Sequence, residues 1–539
     1  MFDPPPRPAP AILSRLWVQI TLTTLAAILA HATFIGSSGL SQSEGHRAIP
    51  GWTMMKTGEW IVPHLFEQPY LRKPPGMPWA VAGMSEIFGV NEWSARMVSA
   101  FACIGMAIVA LAFTRRWFGP RFALAAGLAQ ALTPLFYLHP SGRSAEIEPL
   151  HNFFAQVVTL IVFDSIIRPG SRTRARMLGI VGGFALGAMF LTKGPAAVPC
   201  VLAAVGAGLW ARWRPKALLT PTLAIGVPLG LGIAGIYAYV LARAVNALPL
   251  MPVVESPTEF LFREGTLNKV LALIPVALAS AVPLSLTLIV LALPMPRPDY
   301  LVEQRRRAKA LALACLLSLG IYVAFGVSNN RYAMPALGLL APLAAFWLAD
   351  AHIRLTVASA RRVRVVAACI LVVLIGLTVP YAKWSEARRL RNTGENVAGA
   401  LAAILPDGAQ VWADQVIEQR PEILWYTQQQ AQALGKTIRP RWMPHRAGMP
   451  PNVPEYAAEY VRIGAGVGVG VGVGVGEGAD LDARAELVYL LVRTDARDDS
   501  GELALVSGSR SMQGVAPIWE GKVQNLELAL FKVGGDALR

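Results

Sequence analysis

The sequence predicts a polytopic α-helical membrane protein with a small α/β domain at its C-terminal end. Of the 539 residues, 54% are hydrophobic and only 15% are charged, whereas soluble proteins carry roughly 25% charged residues. Uncharged runs of about 17 to 24 residues recur through residues 1–384, and each is long enough to cross a bilayer as a helix. Residues 385–539 lack such runs.

The apolar runs predict about eleven membrane-spanning helices, within a range of roughly 10 to 13. The first run is long for a signal-peptide core and no small-residue cleavage site follows it, so we interpret it as a retained span. The predicted helices are Leu16–Ile35, Met97–Phe113, Phe122–Leu138, Phe153–Ile167, Met177–Thr192, Pro195–Trp210, Ala217–Leu241, Val270–Leu293, Ala310–Val327, Ala333–Leu348 and Val365–Val379.

Basic residues cluster in short connectors between alternate spans. With a cytoplasmic N-terminus, every strongly basic connector falls on the inner side, as the positive-inside rule requires. The net charge of +15 therefore reflects membrane topology, and no nucleic-acid partner is expected. The predicted outer segments are the first loop, 36–96, the connectors near 139–151, 193, 242–269 and 328–332, and the C-terminal region.

Residues 385–539 predict a small α/β domain outside the membrane, because short strand-like pieces surround a helical one. The helical piece is Pro421–Leu434, and the strand-like pieces are Ala409–Trp412, Glu486–Val492, Leu503–Val506 and Ala529–Val533. Residues 464–478 alternate glycine and valine and are interpreted as a flexible low-complexity insertion. A phosphate-loop interpretation is not supported, since no lysine follows and no helix opens behind it.

No cofactor is predicted, and a divalent metal is an open alternative that no ligand spacing supports. All four cysteines lie in apolar runs, which leaves neither a disulfide framework nor a cysteine zinc site in the polar segments. The histidines His46, His64, His139 and His151 lack a ligand spacing such as HxxxH.

Polar residues concentrate in four stretches on the predicted outer side: Ser43–Trp79, GRSAEIEPLHNFF, FLTKGP and SNNRYAMP. Two carboxylate-bearing turns among isolated cations suit transfer from a lipid phosphate. Arginine and lysine would bind the phosphate and stabilise the charge that grows as the bond to the sugar breaks. A carboxylate would take the proton from the incoming acceptor.

Each of these residues also has a simpler interpretation. A cation at a helix end usually snorkels to the interface or binds any anionic headgroup. Glu148, beside a predicted helix start, would favour the helix dipole. Trp60 and Trp79 suit interfacial anchors.

The stretch GEWIVPHLFEQPYLRKPPGMPW resembles the G-D-W-x-x-P … Y-x-x-K-P-P … W signature of family 39 glycosyltransferases. This family includes protein O-mannosyltransferases and bacterial transferases that add aminoarabinose to lipid A. GRSAEIEPLHNFF, FLTKGP and RYAMPALGLLAPLA follow in the family's order, so the resemblance covers roughly residues 10–385. It implies a GT-C fold with the site in the first outer loops, a polyprenyl-phosphate sugar donor, and inversion at the anomeric carbon.

The resemblance also implies the catalytic residues. In the family an Asp-Glu pair opens the first loop, and its Asp is the expected catalytic carboxylate. Alignment on the G-D-W motif puts Ser43 at the Asp position, whereas alignment on Arg47 puts Glu44 there. Glu44 is the acid available under either alignment, so it is the predicted base. Glu148 matches the second family carboxylate and is predicted to orient the acceptor or donor.

The remaining predicted site residues bind the donor phosphate or line the substrate cavity. The predicted phosphate ligands are Lys73, Arg143, Lys193 and Arg331, and the predicted cavity residues are Arg47, Tyr332 and His151. Some aminoarabinose transferases carry an acid where this chain has Arg72. That departure argues against transferring a metal site or the lipid A acceptor to this chain.

The sequence thus predicts a bacterial inner-membrane glycosyltransferase with a transmembrane body, 1–384, and an extracytoplasmic domain, 385–539. Its expected partners are membrane lipids, a polyprenyl-phosphate-linked sugar donor, and a lipid, glycan or protein acceptor. The alternative is a polytopic transporter or lipid flippase, which usually shows internal repeats and mid-span polar residues. A family member without catalysis is a third possibility, and its support is the altered Ser43-Glu44 pair.

Overall fold

The computed structural model describes most of residues 11–244 and parts of the chain beyond them. Within the first range it omits residues 72, 139, 140, 169 and 213–217. Further along, it describes short stretches within 273–288 and residues 302–325, 330–344, 346, 357–391, 393–413, 420–441, 488–493, 518–523 and 526–533. The predicted pieces Leu503–Val506 and 464–478 and most of the predicted helix Val270–Leu293 lie outside these residues.

The described chain is mostly helical. Its helices are α1 (Leu16–His31), α2 (Gly45–Thr57), α3 (Gly76–Phe88), α4 (Glu92–Phe118), α5 (Pro120–Leu132), α6 (Pro134–Tyr137), α7 (Ile147–Ile167), α8 (Arg172–Lys193), α9 (Val198–Arg212), α10 (Pro221–Ala244), α11 (Val302–Ala324), α12 (Met334–Leu337), α13 (Val357–Leu390), α14 (Glu395–Ile404) and α15 (Glu422–Ala433). Its strands are β1 (His64–Leu65), β2 (Gln68–Pro69), β3 (Ala409–Trp412), β4 (Ile438–Arg441), β5 (Val488–Arg493), β6 (Trp519–Val523) and β7 (Leu526–Val533).

Six helices among the described residues are long and apolar enough to cross a membrane. They are Glu92–Phe118, Ile147–Ile167, Arg172–Arg212, Pro221–Ala244, Glu303–Ala324 and Ala368–Ile404. Leu16–His31, Phe122–Leu132 and Met334–Ala344 are shorter apolar helices. The total of about eleven spans stays a prediction.

Most predicted helices overlap an observed one, and the differences have local causes. Helix α4 begins at Glu92 rather than Met97, because Asn91 caps it: the Asn91 side chain accepts from the Ser94 N–H at 2.8 Å. The predicted continuous helix Phe122–Leu138 is wrong. It is interrupted at Thr133, which is extended before Pro134 (φ −72°, ψ 126°), as expected for a residue that precedes proline.

The chain divides into two compact units. Unit 1 comprises Met1–Ser37, Gly58–Val62 and Leu71–Glu386, and unit 2 comprises Ser38–Thr57, Pro63–Tyr70 and Ala387–Arg539. Two segments of the predicted first outer loop therefore share a compact unit with the C-terminal region. The predicted division at residue 385 and the extracytoplasmic placement of the C-terminal region stay predictions.

In unit 1, helices α8 and α10 pack through glycines. A Cβ on Gly183 would lie 3.0 Å from the Gly226 carbonyl oxygen, and one on Gly226 would lie 2.9 Å from the Gly179 carbonyl oxygen. Small residues at four-residue spacing let two helix backbones approach closely, which is how membrane helices gain packing energy. This contact fixes α8, whose last residue is Lys193.

Unit 2 contains a five-stranded mixed sheet in the order β4-β3-β5-β7-β6. β3 pairs in parallel with both β4 and β5, whereas β7 pairs antiparallel with β5 and β6. Helix α15 connects the parallel neighbours β3 and β4, which is the usual crossover in such a unit. The predicted strand Ala409–Trp412 and the predicted helical piece Pro421–Leu434 are confirmed by β3 and α15.

Candidate active site

The central feature of unit 1 is a buried ion pair between Glu148 and Lys193. Glu148 lies in the first turn of α7, and Lys193 is the last residue of α8. Since consecutive antiparallel helices bring the start of one beside the end of the other, the two side chains meet. Lys193 Nζ donates to Glu148 Oε1 at 3.0 Å, and the side chains are only 7% and 4% exposed.

The end of α8 is set by the sequence that follows Lys193. Gly194 has φ +67° and ψ −148°, a conformation that essentially only glycine adopts without strain. Pro195, directly after it, cannot continue the helix. The LTKGP motif therefore fixes the position of a lysine at a helix terminus.

Two further predicted residues contact or adjoin this pair. The Lys193 ammonium lies 3.8 Å from the centre of the Tyr332 ring, a cation–π contact that stabilises a charge removed from water. His151, three residues after Glu148 on α7, is buried, and its Nδ1–H donates to the Met189 carbonyl oxygen at 3.2 Å. Within the part of the chain that the structure describes, His151 Nε2 has no hydrogen-bond partner.

Lys73 also belongs to this group. It is half-buried and lies close enough to His151 to act on it electrostatically, as do Lys193 and Glu148. Its position depends on Gly76, where a Cβ would lie 2.7 Å from the Leu191 carbonyl oxygen on α8. Glycine in KPPG thus allows the start of α3 to contact the end of α8, next to Lys193.

The segment before Lys73 is held by aromatic residues of unit 1. Trp79 Nε1–H donates to the Trp60 carbonyl oxygen at 2.8 Å. The Tyr237 hydroxyl donates to the Ile61 carbonyl oxygen at 3.0 Å, and the Tyr237 and Trp79 rings meet edge-on with centres 5.6 Å apart. Trp79 therefore has a packing role in addition to any interfacial one.

Arg143 is placed differently from the other predicted phosphate ligands. Its guanidinium is fully buried and donates to the carbonyl oxygens of Ala30 at 3.0 Å and Thr33 at 2.5 Å. These carbonyls lie at the C-terminal end of α1, where helices leave acceptors without intrahelical donors. Glu386 Oε1 lies 4.0 Å from Arg143 Nη2. The described contacts support a structural role for Arg143.

The other predicted site residues belong to unit 2 or are described in part. Arg331 belongs to the 3₁₀ turn Asn330–Ala333, beside Tyr332, and its side chain lies outside the described residues. Glu44 and Arg47 belong to unit 2. Glu44 is fully buried at the end of the 3₁₀ helix Gln42–Glu44, and its Oε2 accepts from the Ser41 N–H at 2.9 Å.

Some buried charges carry no motif in the sequence. Arg96 in α4 is fully buried, and its Nη1 donates to the Ile35 carbonyl oxygen at 2.7 Å. The sequence feature that could have indicated this burial is a lone charge at the edge of an apolar run, since such a charge requires a partner. Glu386, in unit 1, and Arg420 and Glu422, in unit 2, are also buried, and no motif marks them.

No group of three or more histidine, cysteine, aspartate or glutamate side chains suited to a metal occurs in the residues that the structure describes.

Residues 72–237 match the family described as dolichyl-phosphate-mannose-protein mannosyltransferase. This stretch contains Lys73, Arg143, Glu148, His151 and Lys193. The resemblance to family 39 glycosyltransferases is confirmed.

Curated relatives named as arabinosyl transferases match part of the chain. It is 36% identical over 168 residues to the undecaprenyl phosphate-alpha-4-amino-4-deoxy-L-arabinose arabinosyl transferase of Pseudomonas aeruginosa UCBPP-PA14, a match covering 30% of this chain and 29% of that protein. A similarly named protein of Pseudomonas fluorescens Pf0-1 is 27% identical over 237 residues, covering 41% and 42%. The match thus spans less than half the length of either relative.

Solved structures share the fold over nearly the whole chain. ArnT from Cupriavidus metallidurans in the apo state has a TM-score of 0.66 at 16% identity, covering 96% of this chain and 98% of that one. The same protein bound to undecaprenyl phosphate has a TM-score of 0.64 at 16% identity, covering 95% and 97%. The chain therefore has a mostly helical fold like that of ArnT.

Proposed function

We propose that this protein is a membrane glycosyltransferase that moves a sugar from a polyprenyl-phosphate donor to a lipid, glycan or protein acceptor. The observation that carries the proposal is the buried Lys193–Glu148 pair, 3.0 Å between charged atoms, with Tyr332 against the lysine. Its residues lie in the motifs that resemble family 39. An ion pair removed from water at helix ends is costly, which favours a functional reason for keeping it.

The proposed reaction is a displacement at the anomeric carbon of the donor sugar. The acceptor's nucleophilic atom forms a bond to this carbon while the bond to the phosphate oxygen breaks, so the configuration inverts. The acceptor's proton passes to a carboxylate, and polyprenyl phosphate leaves with the bonding electron pair. The protein's task is to stabilise the negative charge that grows on the phosphate and to remove the proton.

Lys193 is the proposed phosphate ligand with the strongest geometric support, through its contacts with Glu148 and Tyr332. Lys73 is proposed for the same role because the KPPG turn packs against the end of α8. Arg331 is proposed for the same role because it neighbours Tyr332. Glu148 would orient the acceptor or donor and hold Lys193 in place when the site is empty. His151 and Tyr332 would line the substrate cavity.

Glu44 is proposed as the base, and Arg47 as a cavity residue, on the sequence resemblance. The resemblance predicts Arg143 as a ligand of the donor phosphate, and its buried hydrogen bonds to the end of α1 favour a structural contribution. The proposed location is the bacterial inner membrane, with a cytoplasmic N-terminus and the site on the outer side. Inversion and the outer-side site are likewise proposed from the resemblance and the charge pattern.

A transfer assay with the purified protein in lipid nanodiscs tests this function. The donors are radiolabelled undecaprenyl phosphates carrying 4-amino-4-deoxy-L-arabinose, mannose or glucose, and the acceptors are extracted envelope lipids and proteins. We expect release of undecaprenyl phosphate together with movement of label to one acceptor fraction. The relatives' names make the aminoarabinose donor the first to try.

The test variant is Lys193→Met, which removes the proposed phosphate ligand. The control variant is Glu86→Gln, which changes an exposed acid on α3. Lys193→Met should abolish transfer, and Glu86→Gln should leave it unchanged. Folded wild-type protein that neither binds undecaprenyl phosphate nor releases it from any of these donors would overturn the proposal.

A further inference from the structure

The Glu44 segment is held within unit 2 by the C-terminal region. The Leu40 N–H donates to the Tyr426 hydroxyl oxygen at 2.5 Å. A Cβ on Gly45, directly after Glu44, would lie 2.8 Å from Pro421 Cγ and 3.0 Å from the Glu422 backbone nitrogen. Glycine at position 45 therefore lets the segment contact the start of α15, 370 or more residues later in the chain.

A second contact confirms how closely the segment and the C-terminal region pack. A Cβ on Gly39 would overlap the Thr393 hydroxyl and lie 2.9 Å from the Tyr426 hydroxyl. The Trp52 and Trp425 rings, from α2 and α15, lie 5.2 Å apart between centres. The residues on both sides of Glu44 thus contact the same helix.

The start of α15 carries a buried acid that the proposed reaction does not use. Glu422 is fully buried, and its Oε1 accepts from Arg420 Nε–H, whose side chain is 6% exposed. Glu422 Oε2 has no hydrogen-bond partner among the residues that the structure describes. A buried carboxylate with an unsatisfied oxygen is costly, so its retention beside Glu44 invites a functional explanation.

Glu422 and Glu44 influence each other electrostatically. Burial raises the pKa of Glu422 from its usual 4.5 to about 7; Arg420 opposes this shift and the Glu44 carboxylate adds to it. Interaction between two titrating groups is mutual, so an ionised Glu422 favours proton uptake by Glu44. Other charged or titratable groups on the elements packed against α15 are His46, Arg47, Lys56, Glu395 and Arg439, of which Lys56, Glu395 and Arg439 are exposed.

We propose that Glu422, paired with Arg420, is a positioning residue for Glu44: it fixes the segment that bears Glu44, and its charge strengthens Glu44 as a proton acceptor. This inference rests on the proposed function, in which Glu44 is the base. It gives the C-terminal region a role in the reaction. Stronger proton acceptors remove the acceptor's proton more readily, so transfer should speed up as Glu422 ionises.

The test compares the pH dependence of kcat in wild-type protein and Glu422→Gln, with Glu520→Gln, an exposed acid on β6, as the matched control. Wild type and the control should show a rise in kcat centred near pH 7, and Glu422→Gln should lack it. At pH 8 the variant's kcat should be at least about tenfold lower, with the donor KM changed less than twofold. Glu422→Asp, which restores a carboxylate, should recover part of the rise.

A rise in kcat near pH 7 that persists in Glu422→Gln would overturn the proposal. A donor KM that changes by the same factor as kcat would also overturn it. A second readout does not need activity. Amide hydrogen exchange across residues 39–49 should be at least threefold faster in Glu422→Ala than in wild type and Glu520→Gln. Equal exchange would overturn the positioning role. If wild type transfers no sugar but Glu422→Ala accelerates exchange, the proposed function fails and the structural coupling stands.

Discussion

Lys193 Nζ lies 3.0 Å from Glu148 Oε1, and both side chains are almost completely buried. Each charge compensates the other, so losing one removes the ion pair that offsets the burial of the other, at a cost of about 3–5 kcal/mol. If a residue contributes to both catalysis and stability, a single substitution lowers transfer for either reason and does not distinguish them. The pair therefore calls for a design that separates the two contributions.

The first prediction is that replacing both partners restores stability but not transfer. Lys193→Met and Glu148→Gln should each lower the apparent Tm, whereas Lys193→Met combined with Glu148→Leu should recover most of it, because well-packed apolar pairs substitute for buried ion pairs. All three should transfer sugar at least about 100-fold more slowly. Thermal unfolding and the nanodisc assay measure both quantities. Transfer that recovers along with stability would make the pair purely structural.

The second prediction separates Glu44 from Ser43 as the reacting position. Glu44→Gln should abolish transfer without lowering membrane abundance, because the amide oxygen can still accept from the Ser41 N–H. Ser43→Ala should retain transfer within about threefold. Initial rates at equal protein amounts provide the comparison. Substantial transfer by Glu44→Gln would show that Glu44 is not the catalytic base.

The third prediction concerns Gly76 in the KPPG turn. Gly76→Ala places a methyl group 2.7 Å from the Leu191 carbonyl oxygen, so α3 must move away from α8 and carry Lys73 with it. The donor KM should rise at least about fivefold. Gly83→Ala on the same helix is the matched control, since its Cβ would meet nothing within 4 Å, and it should be neutral or slightly stabilising. Identical KM values for the two variants would contradict the predicted role of the turn.

The fourth prediction distinguishes the two roles considered for Arg143. Arg143→Met should lower the apparent Tm, because the Ala30 and Thr33 carbonyl oxygens lose their buried donor. Folded Arg143→Met protein should bind undecaprenyl phosphate within about threefold of wild type, as measured by microscale thermophoresis in detergent. An unchanged apparent Tm with strongly weakened binding of undecaprenyl phosphate would instead support Arg143 as a phosphate ligand.

Much of unit 1 could be predicted from the sequence, because helix length and loop charge are local signals. Observed α7 and α8 overlap the predicted spans Phe153–Ile167 and Met177–Thr192. Alternating topology alone puts the start of one beside the end of the next, so the closeness of Glu148 and Lys193 followed from counting spans. The cation–π contact of Lys193 with Tyr332 did not follow, because it depends on how a distant turn packs.

Long-range contacts account for what the sequence did not reveal. Glu44 and Glu422 belong to segments with no shared pattern, and their proximity depends on the space left by Gly45. The motif around Arg143 predicts a phosphate ligand, yet its hydrogen bonds go to the end of α1. Whether a charge serves a ligand or a helix terminus is decided by tertiary packing, which a local motif does not encode.

The fifth prediction is that Glu422 makes the protein's stability pH-dependent. Its folded-state pKa of about 7 exceeds the ordinary value of 4.5, so the folded protein retains a proton that the unfolded chain releases. The resulting stabilisation is complete below pH 4.5 and is lost as the pH rises through 7. Glu422→Gln cannot ionise, so the apparent Tm of wild type relative to this variant should fall between pH 5 and pH 8.5, by at least about 3 °C. Glu520→Gln should follow wild type throughout, and a Tm difference between wild type and Glu422→Gln that stays constant with pH would contradict the shift.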